Sequence, residues 1–164
     1  MLIILDINPV QKLAKQMLTQ CLDTTIVFAN AHLMQTSNNS VALMGCHSQG
    51  AEFLYPKDRM PEIRQYDGQY EKFTQLEQTV RMQIQKMLSE VQIERTGNDE
   101  SLISGALSMA LCYISRLERE KVAGEKIYSR ILVITASHDS ATQYMNYMNI
   151  FFTAQKMVCF QCNE

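Results

Sequence analysis

The sequence predicts an α/β fold with a mostly parallel central sheet, an antiparallel hairpin at one edge and helices on both faces. Two observations carry this. The apolar runs Leu2–Leu5 and Ile131–Ile134 are too short for buried helices, and they read as parallel strands covered on both faces. Between and after them lie segments with apolar residues every three or four positions, the pattern of helices packed on a sheet.

Taken in order, the first run passes through Asp6 to Asn8-Pro9, and proline both lacks an amide donor and disfavours helix before it, so the strand stops there. Asp6 is thereby predicted at the carboxyl end of a central strand, where open α/β sheets hold ligands. Val10–Thr36 is predicted helical through the stripe Leu18, Leu22, Thr25, Ile26, Ala29 and Leu33. The turn cluster Ser37–Ser40 ends it. Ser40–Cys46 and Ala51–Tyr55 flank the short link His47–Gly50, which requires antiparallel pairing.

Pro56–Gly68 is predicted to be a surface loop. Phe73–Val91 carries a helical stripe, and Asn98 or Asp99 can cap a further helix over roughly Glu100–Glu120. That helix has two stripes. Ile103, Leu107, Ala110, Ile114 and Leu117 suffice to pack on a sheet, whereas Leu102, Ala106, Met109 and Tyr113 lie about a quarter turn away. The second stripe is expected to meet another protein, or else the helix Phe73–Val91. Gly124 falls in the charged loop that follows. Ile131–Ile134 is predicted to form the sheet centre with Leu2–Leu5, and Ser137–Ser140 the loop at its carboxyl end. Thr142–Lys156 reads as a helix and Met157–Cys162 as the start of another strand. There is no internal repeat and no low-complexity tract.

The chain has 164 residues, 46% apolar and 20% charged, as a single globular domain would. A formal net charge of −2 gives no electrostatic reason for direct nucleic-acid or membrane binding. No apolar run approaches a membrane span, and the amino terminus lacks the basic region of a signal peptide. Five scattered cysteines suggest reduced thiols in the cytosol or nucleus. Eleven methionines are unusually many and suit either core filling or an adaptable contact surface.

A strand ending in Asp-x-Asn, an edge hairpin, and Ile131-Leu-Val-Ile-Thr135 with its loop together resemble a von Willebrand factor A domain. Leu5-Asp-Ile-Asn-Pro9, Phe53-Leu-Tyr-Pro56, Asp67-Gly-Gln-Tyr70, Ala110-Leu-Cys-Tyr-Ile114, Ser129-Arg-Ile-Leu-Val-Ile134 and Gln143-Tyr-Met-Asn-Tyr-Met-Asn149 narrow the match. They resemble the small von Willebrand A subunit of general transcription factor IIH. The resemblance implies residues 1–164 form one such domain, incomplete at its carboxyl end, without the zinc-binding module that follows in the family. It also implies a nuclear, non-enzymatic subunit acting in transcription initiation and nucleotide excision repair. Its partners would be other core subunits, chiefly the larger von Willebrand A subunit through its zinc-binding domain. DNA would be met only indirectly and membranes not at all. No cofactor is expected in this chain.

Adhesion-type relatives bind a divalent cation through Asp-x-Ser-x-Ser, a threonine on a second loop and an aspartate after the second central strand. Hard cations need several oxygen ligands. Here Asp6 and Asn8 remain, but Val10, Leu102 and Ala136 stand at the other positions, leaving a degenerate site expected to hold no metal. Asp6 is expected to cap a turn or a helix instead. Ser137-His138-Asp139 cannot act as a triad, because adjacent residues do not converge on one atom. His32 and His47 read as surface or turn residues. The glycines fit no phosphate-cradling motif. Cys159 and Cys162 offer two ligands where structural zinc needs four, and Cys21, Cys46 and Cys112 read as core. The rival readings are a metal-dependent hydrolase or phosphotransfer domain using Asp6 and Asp139, and a cation-dependent adhesion receptor.

Overall fold

The computed structural model describes residues 1–8, 15–57, 71–91, 100–121, 127–137 and 140–161. Its strands are β1 (Leu2–Asp6), β2 (Ala42–Cys46), β3 (Ala51–Tyr55) and β4 (Ile131–Ile134), in the sheet order β3-β2-β1-β4. β1 runs parallel to both β2 and β4, and β3 lies antiparallel to β2 as the edge hairpin. The helices are α1 (Lys15–Gln35), α2 (Glu71–Val91), α3 (Ile103–Glu120) and α4 (Tyr144–Gln161), the last entered through a short 3-10 turn at Ala141–Gln143. This is the architecture implied by the resemblance to a von Willebrand factor A domain.

Side-chain alternation along β1 divides the interior in two. Ile3, Leu5 and Ile7 point to one face and pack with Leu22, Ile26 and Ala29 of α1 and with Leu76, Val80, Ile84 and Met87 of α2. Leu2 and Ile4 point to the other and meet Ala106, Leu107, Ala110 and Leu111 of α3 and Ile150 of α4. Ile3 and Ile4 are fully buried and Leu5 is 1% exposed, so each stabilises the fold by roughly 1.5–3 kcal/mol. The stripes expected on α1 and α2 are the buried ones.

Five expectations are corrected. Met157–Cys162 is not the start of a strand: α4 continues through Gln161. Tyr147, Ile150, Ala154 and Met157, spaced by three and four, all pack on one core face, and that period outweighs a short apolar run. Cys162 lies outside the described residues. β4 is not central. Among the described residues only β1 pairs with it, and its residue Leu132 is 37% exposed. α3 begins at Ile103 rather than near Glu100, with Leu102 in a non-helical conformation. The Leu102 amide donates to the His47 carbonyl at 3.1 Å, which ties this segment to the sheet and delays the helix. Asn98 and Asp99 lie outside the described residues, as do Gly124 and residues 58–68 of the predicted surface loop. Finally, α2 lies across the sheet from α3 and does not cover its second stripe. Cys46 is buried and Cys21 half-buried, but Cys112 is exposed.

Candidate functional site

Because β1 lies between β2 and β4, its last residue meets the ends of both neighbours. Asp6 pairs in register with Cys46, and Leu5 with Ile134. Asp6 is only 8% exposed, so its carboxylate requires partners from the chain. The Asn8 amide donates to Oδ1 at 3.1 Å, a local turn, and the Ser101 hydroxyl donates to the same oxygen at 2.7 Å. Thr135 donates to Oδ2 at 2.8 Å, and the Ser137 hydroxyl is in close contact with that oxygen. The Ser101 and Ser137 hydroxyl oxygens lie 2.9 Å apart, and the Ser137 amide donates to the Thr135 hydroxyl at 3.0 Å. One carboxylate thus joins the end of β1, the segment before α3 and the segment after β4.

A second set of polar groups holds the first in place. The Gln143 side-chain amide donates to the Ser101 carbonyl at 2.8 Å, and its oxygen accepts from the Ser104 hydroxyl at 2.8 Å and from the Ser104 amide at 3.3 Å. Ser101, Ser104 and Gln143 are all buried. At the solvent side, Glu100 accepts from Ser140 at 2.5 Å and from Thr142 at 2.7 Å. Those two hydroxyls, Ser140 foremost, hold the Glu100 carboxyl below its ordinary range. Cys46 is pushed up to about 12, first by burial and then by the Asp6 charge, so it stays a thiol at neutral pH.

A general base must present a lone pair to a substrate. Both Asp6 oxygens instead face donors of the chain itself. A hard cation fits no better. Asp6 is the one carboxylate at the centre of this cluster among the described residues. Ala136 offers a methyl group, and Leu102 an apolar side chain. No three described His, Cys, Asp or Glu residues cluster closely enough to hold a metal. Val10 and Asp139 lie outside the described residues, as does His138. Asn8 is buried and is seen here through its amide. Cys159 falls within α4, but its side chain is outside the description. His47 takes a turn role, accepting at Nδ1 from the Gln49 amide at 3.1 Å. Among the described residues, no helix is long and apolar enough to cross a membrane.

Sequence reasoning found Asp6 and missed Ser101, Thr135 and Gln143. Thr135 had a signal: with β1 and β4 parallel, the first polar residue after Ile134 must lie beside Asp6. Ser101 sits one position before Leu102, where the second-loop oxygen was sought. Its contact crosses 95 positions of chain with no local pattern to announce it.

The predicted partner stripe divides. Leu102 is 36% and Met109 38% exposed, while Tyr113 is half-buried, its ring 5.1 Å from that of Phe53. Ala106 is wholly buried in the core beneath α3, so it is withdrawn from the candidate partner surface.

The family model for transcription factor Tfb4 matches residues 1–161. General transcription and DNA repair factor IIH subunit TFB4 of Saccharomyces cerevisiae is 34% identical, the match covering 88% of this chain and 48% of that protein. The corresponding subunit of Schizosaccharomyces pombe is 32% identical over 95% of this chain and 53% of its own length. The chain therefore spans about half the length of the curated relatives it matches. The crystal structure of the TFIIH p34 N-terminal domain superposes with a TM-score of 0.71 at 30% identity, covering 93% of this chain and 73% of that one.

Proposed function

This chain belongs to the Tfb4 family of transcription factors, and from that membership we propose that it is a non-enzymatic, protein-binding subunit of general transcription and DNA repair factor IIH. Its relatives carry that factor's name, and the match extends over most of this chain. The observation that supports a scaffold over a catalyst is the state of Asp6. Where this kind of sheet holds a ligand, the carboxylate is engaged by Asn8, Ser101, Thr135 and Ser137. Chemistry at that end would have to break a buried network before it could begin.

On this reading the chain works in the nucleus, in transcription initiation and nucleotide excision repair, and meets DNA only through the complex. Its chief partner is the larger von Willebrand A subunit, by way of that subunit's zinc-binding domain. It uses no cofactor of its own. The exposed part of the α3 stripe, Leu102 and Met109 with Tyr113 beside them, is the proposed contact surface. The test is to recover the tagged chain from nuclear extract and identify what accompanies it. Stoichiometric core subunits of factor IIH are expected, and their absence contradicts the assignment. No described residue favours the alternative hydrolase or phosphotransfer reading through Asp6 and Asp139.

A further inference from the structure

Beside the exposed stripe of α3 runs a groove of about 670 Å³, bounded on its other side by the edge strand β3. Phe53 of β3 and Met109, Cys112 and Tyr113 of α3 give it an apolar lining. Met109 is 38% exposed and Cys112 is exposed, so this lining faces solvent. Methionine adapts its shape cheaply, which suits a surface that receives another side chain.

Charge decides what kind of occupant fits. Among the described residues, three charged side chains line the groove. Glu52 and Lys57 pair with each other at 3.6 Å, so their charges offset. Arg116 is exposed and, among the described residues, makes no ion pair or side-chain hydrogen bond. An apolar floor beside a single uncompensated guanidinium matches an apolar anchor flanked by a carboxylate, which arginine can hold in bidentate fashion.

Backbone geometry decides how the occupant docks. An open edge strand can recruit another strand. Here the hairpin register shifts between Leu43 and Met44, and β3 ends against Pro56, which has no amide to donate. Both features blunt the edge, so docking proceeds through side chains.

We propose that the groove between β3 and α3 receives an apolar side chain of another factor IIH subunit, flanked by a carboxylate that pairs with Arg116. The proposal rests on the subunit assignment above and adds the partner's chemistry and the residues that read it. Its test is co-purification of the factor IIH core subunits with the tagged full chain. Met109→Glu and Arg116→Glu are each expected to lower recovery at least tenfold, while Arg116→Lys retains most of it. Val27→Glu, at a 67% exposed position of α1 across the sheet, is expected to leave recovery unchanged. Labelling of Cys112 by a maleimide is expected to slow at least tenfold on assembly. Normal recovery of both groove variants, with Cys112 still labelled freely, overturns the groove and leaves the subunit assignment standing. Loss with Met109→Glu but not with Arg116→Glu overturns the carboxylate partner. Should the unaltered chain recover no core subunits, both proposals fall.

Discussion

The Ser101 hydroxyl donates to the Asp6 carboxylate at 2.7 Å, joining the segment before α3 to the end of β1 across 95 positions of chain. Thr135 closes the other side at 2.8 Å. Removing the carboxylate leaves three hydroxyls and an amide to find new partners in a nearly dry site. Asp6→Ala is expected to destabilise the chain by about 3 kcal/mol, since several donors lose one acceptor, and Ser101→Ala by about 1.5 kcal/mol, the low end for a single hydrogen bond to a charged group. Chemical denaturation measures both. The double variant should fall short of the sum, because the two changes remove a shared interaction.

The same closure predicts indifference to hard cations. Titrating Mg²⁺ or Mn²⁺ into the chain by calorimetry is expected to give only heat of dilution. Saturable binding tighter than about 1 mM, the weak end of protein sites for such ions, would show that the Asp6 network yields to a metal.

Gly45 is held to its size by a methionine. A Cβ at Gly45 would lie 3.2 Å from the Met87 sulfur and 3.4 Å from a Leu54 methyl. Replacing a strand glycine by alanine gains about 0.5–1 kcal/mol of backbone entropy, but overfilling a packed core costs about 1–3 kcal/mol. The cost wins. Gly45→Ala is expected to lower stability by about 1 kcal/mol, and less in a Met87→Ala background, where the added methyl has room.

Glu100 carries a pH dependence of known sign. Its carboxyl lies below the ordinary value of 4.5 because Ser140 and Thr142 donate to the ionised form. The folded chain therefore binds fewer protons there than the unfolded chain. The contribution is full above pH 4.5 and fades as pH falls through the lower folded value. Glu100→Gln should melt below the unaltered chain at pH 7, with the gap closing as the pH falls below 4.5. A gap that stays constant between pH 7 and pH 3 would remove the ionised carboxylate from the account.

Elements with a clear period were legible. β1 could be read from an apolar run cut short at Pro9, the hairpin from a link too short for a parallel crossover, and the buried stripes of α1 and α2 from three-four spacing. The run at Met157 was not: four apolar residues suit a strand or a helix equally, and the spacing back to Tyr147, Ile150 and Ala154 decides for the helix. Ile131–Ile134 looks as apolar as Leu2–Leu5, yet composition does not reveal how many neighbours a strand has. Ala106 was misplaced because an alanine leaves no mark on a helical pattern. Asp6 was legible from its place at a strand end. Ser101 was not, since hydroxyls are common in loops and only the fold brings this one to the carboxylate.

The central claim is that this chain acts as a subunit, through its surface and with its strand-end carboxylate engaged internally. The most direct measurement is size-exclusion chromatography of the purified chain mixed with the remaining core subunits of factor IIH, with Asp6→Asn run beside it. Both forms are expected to co-elute with the core at one copy per complex, Asp6→Asn with a lowered melting temperature and unchanged assembly. Elution of the unaltered chain apart from the core would contradict the account.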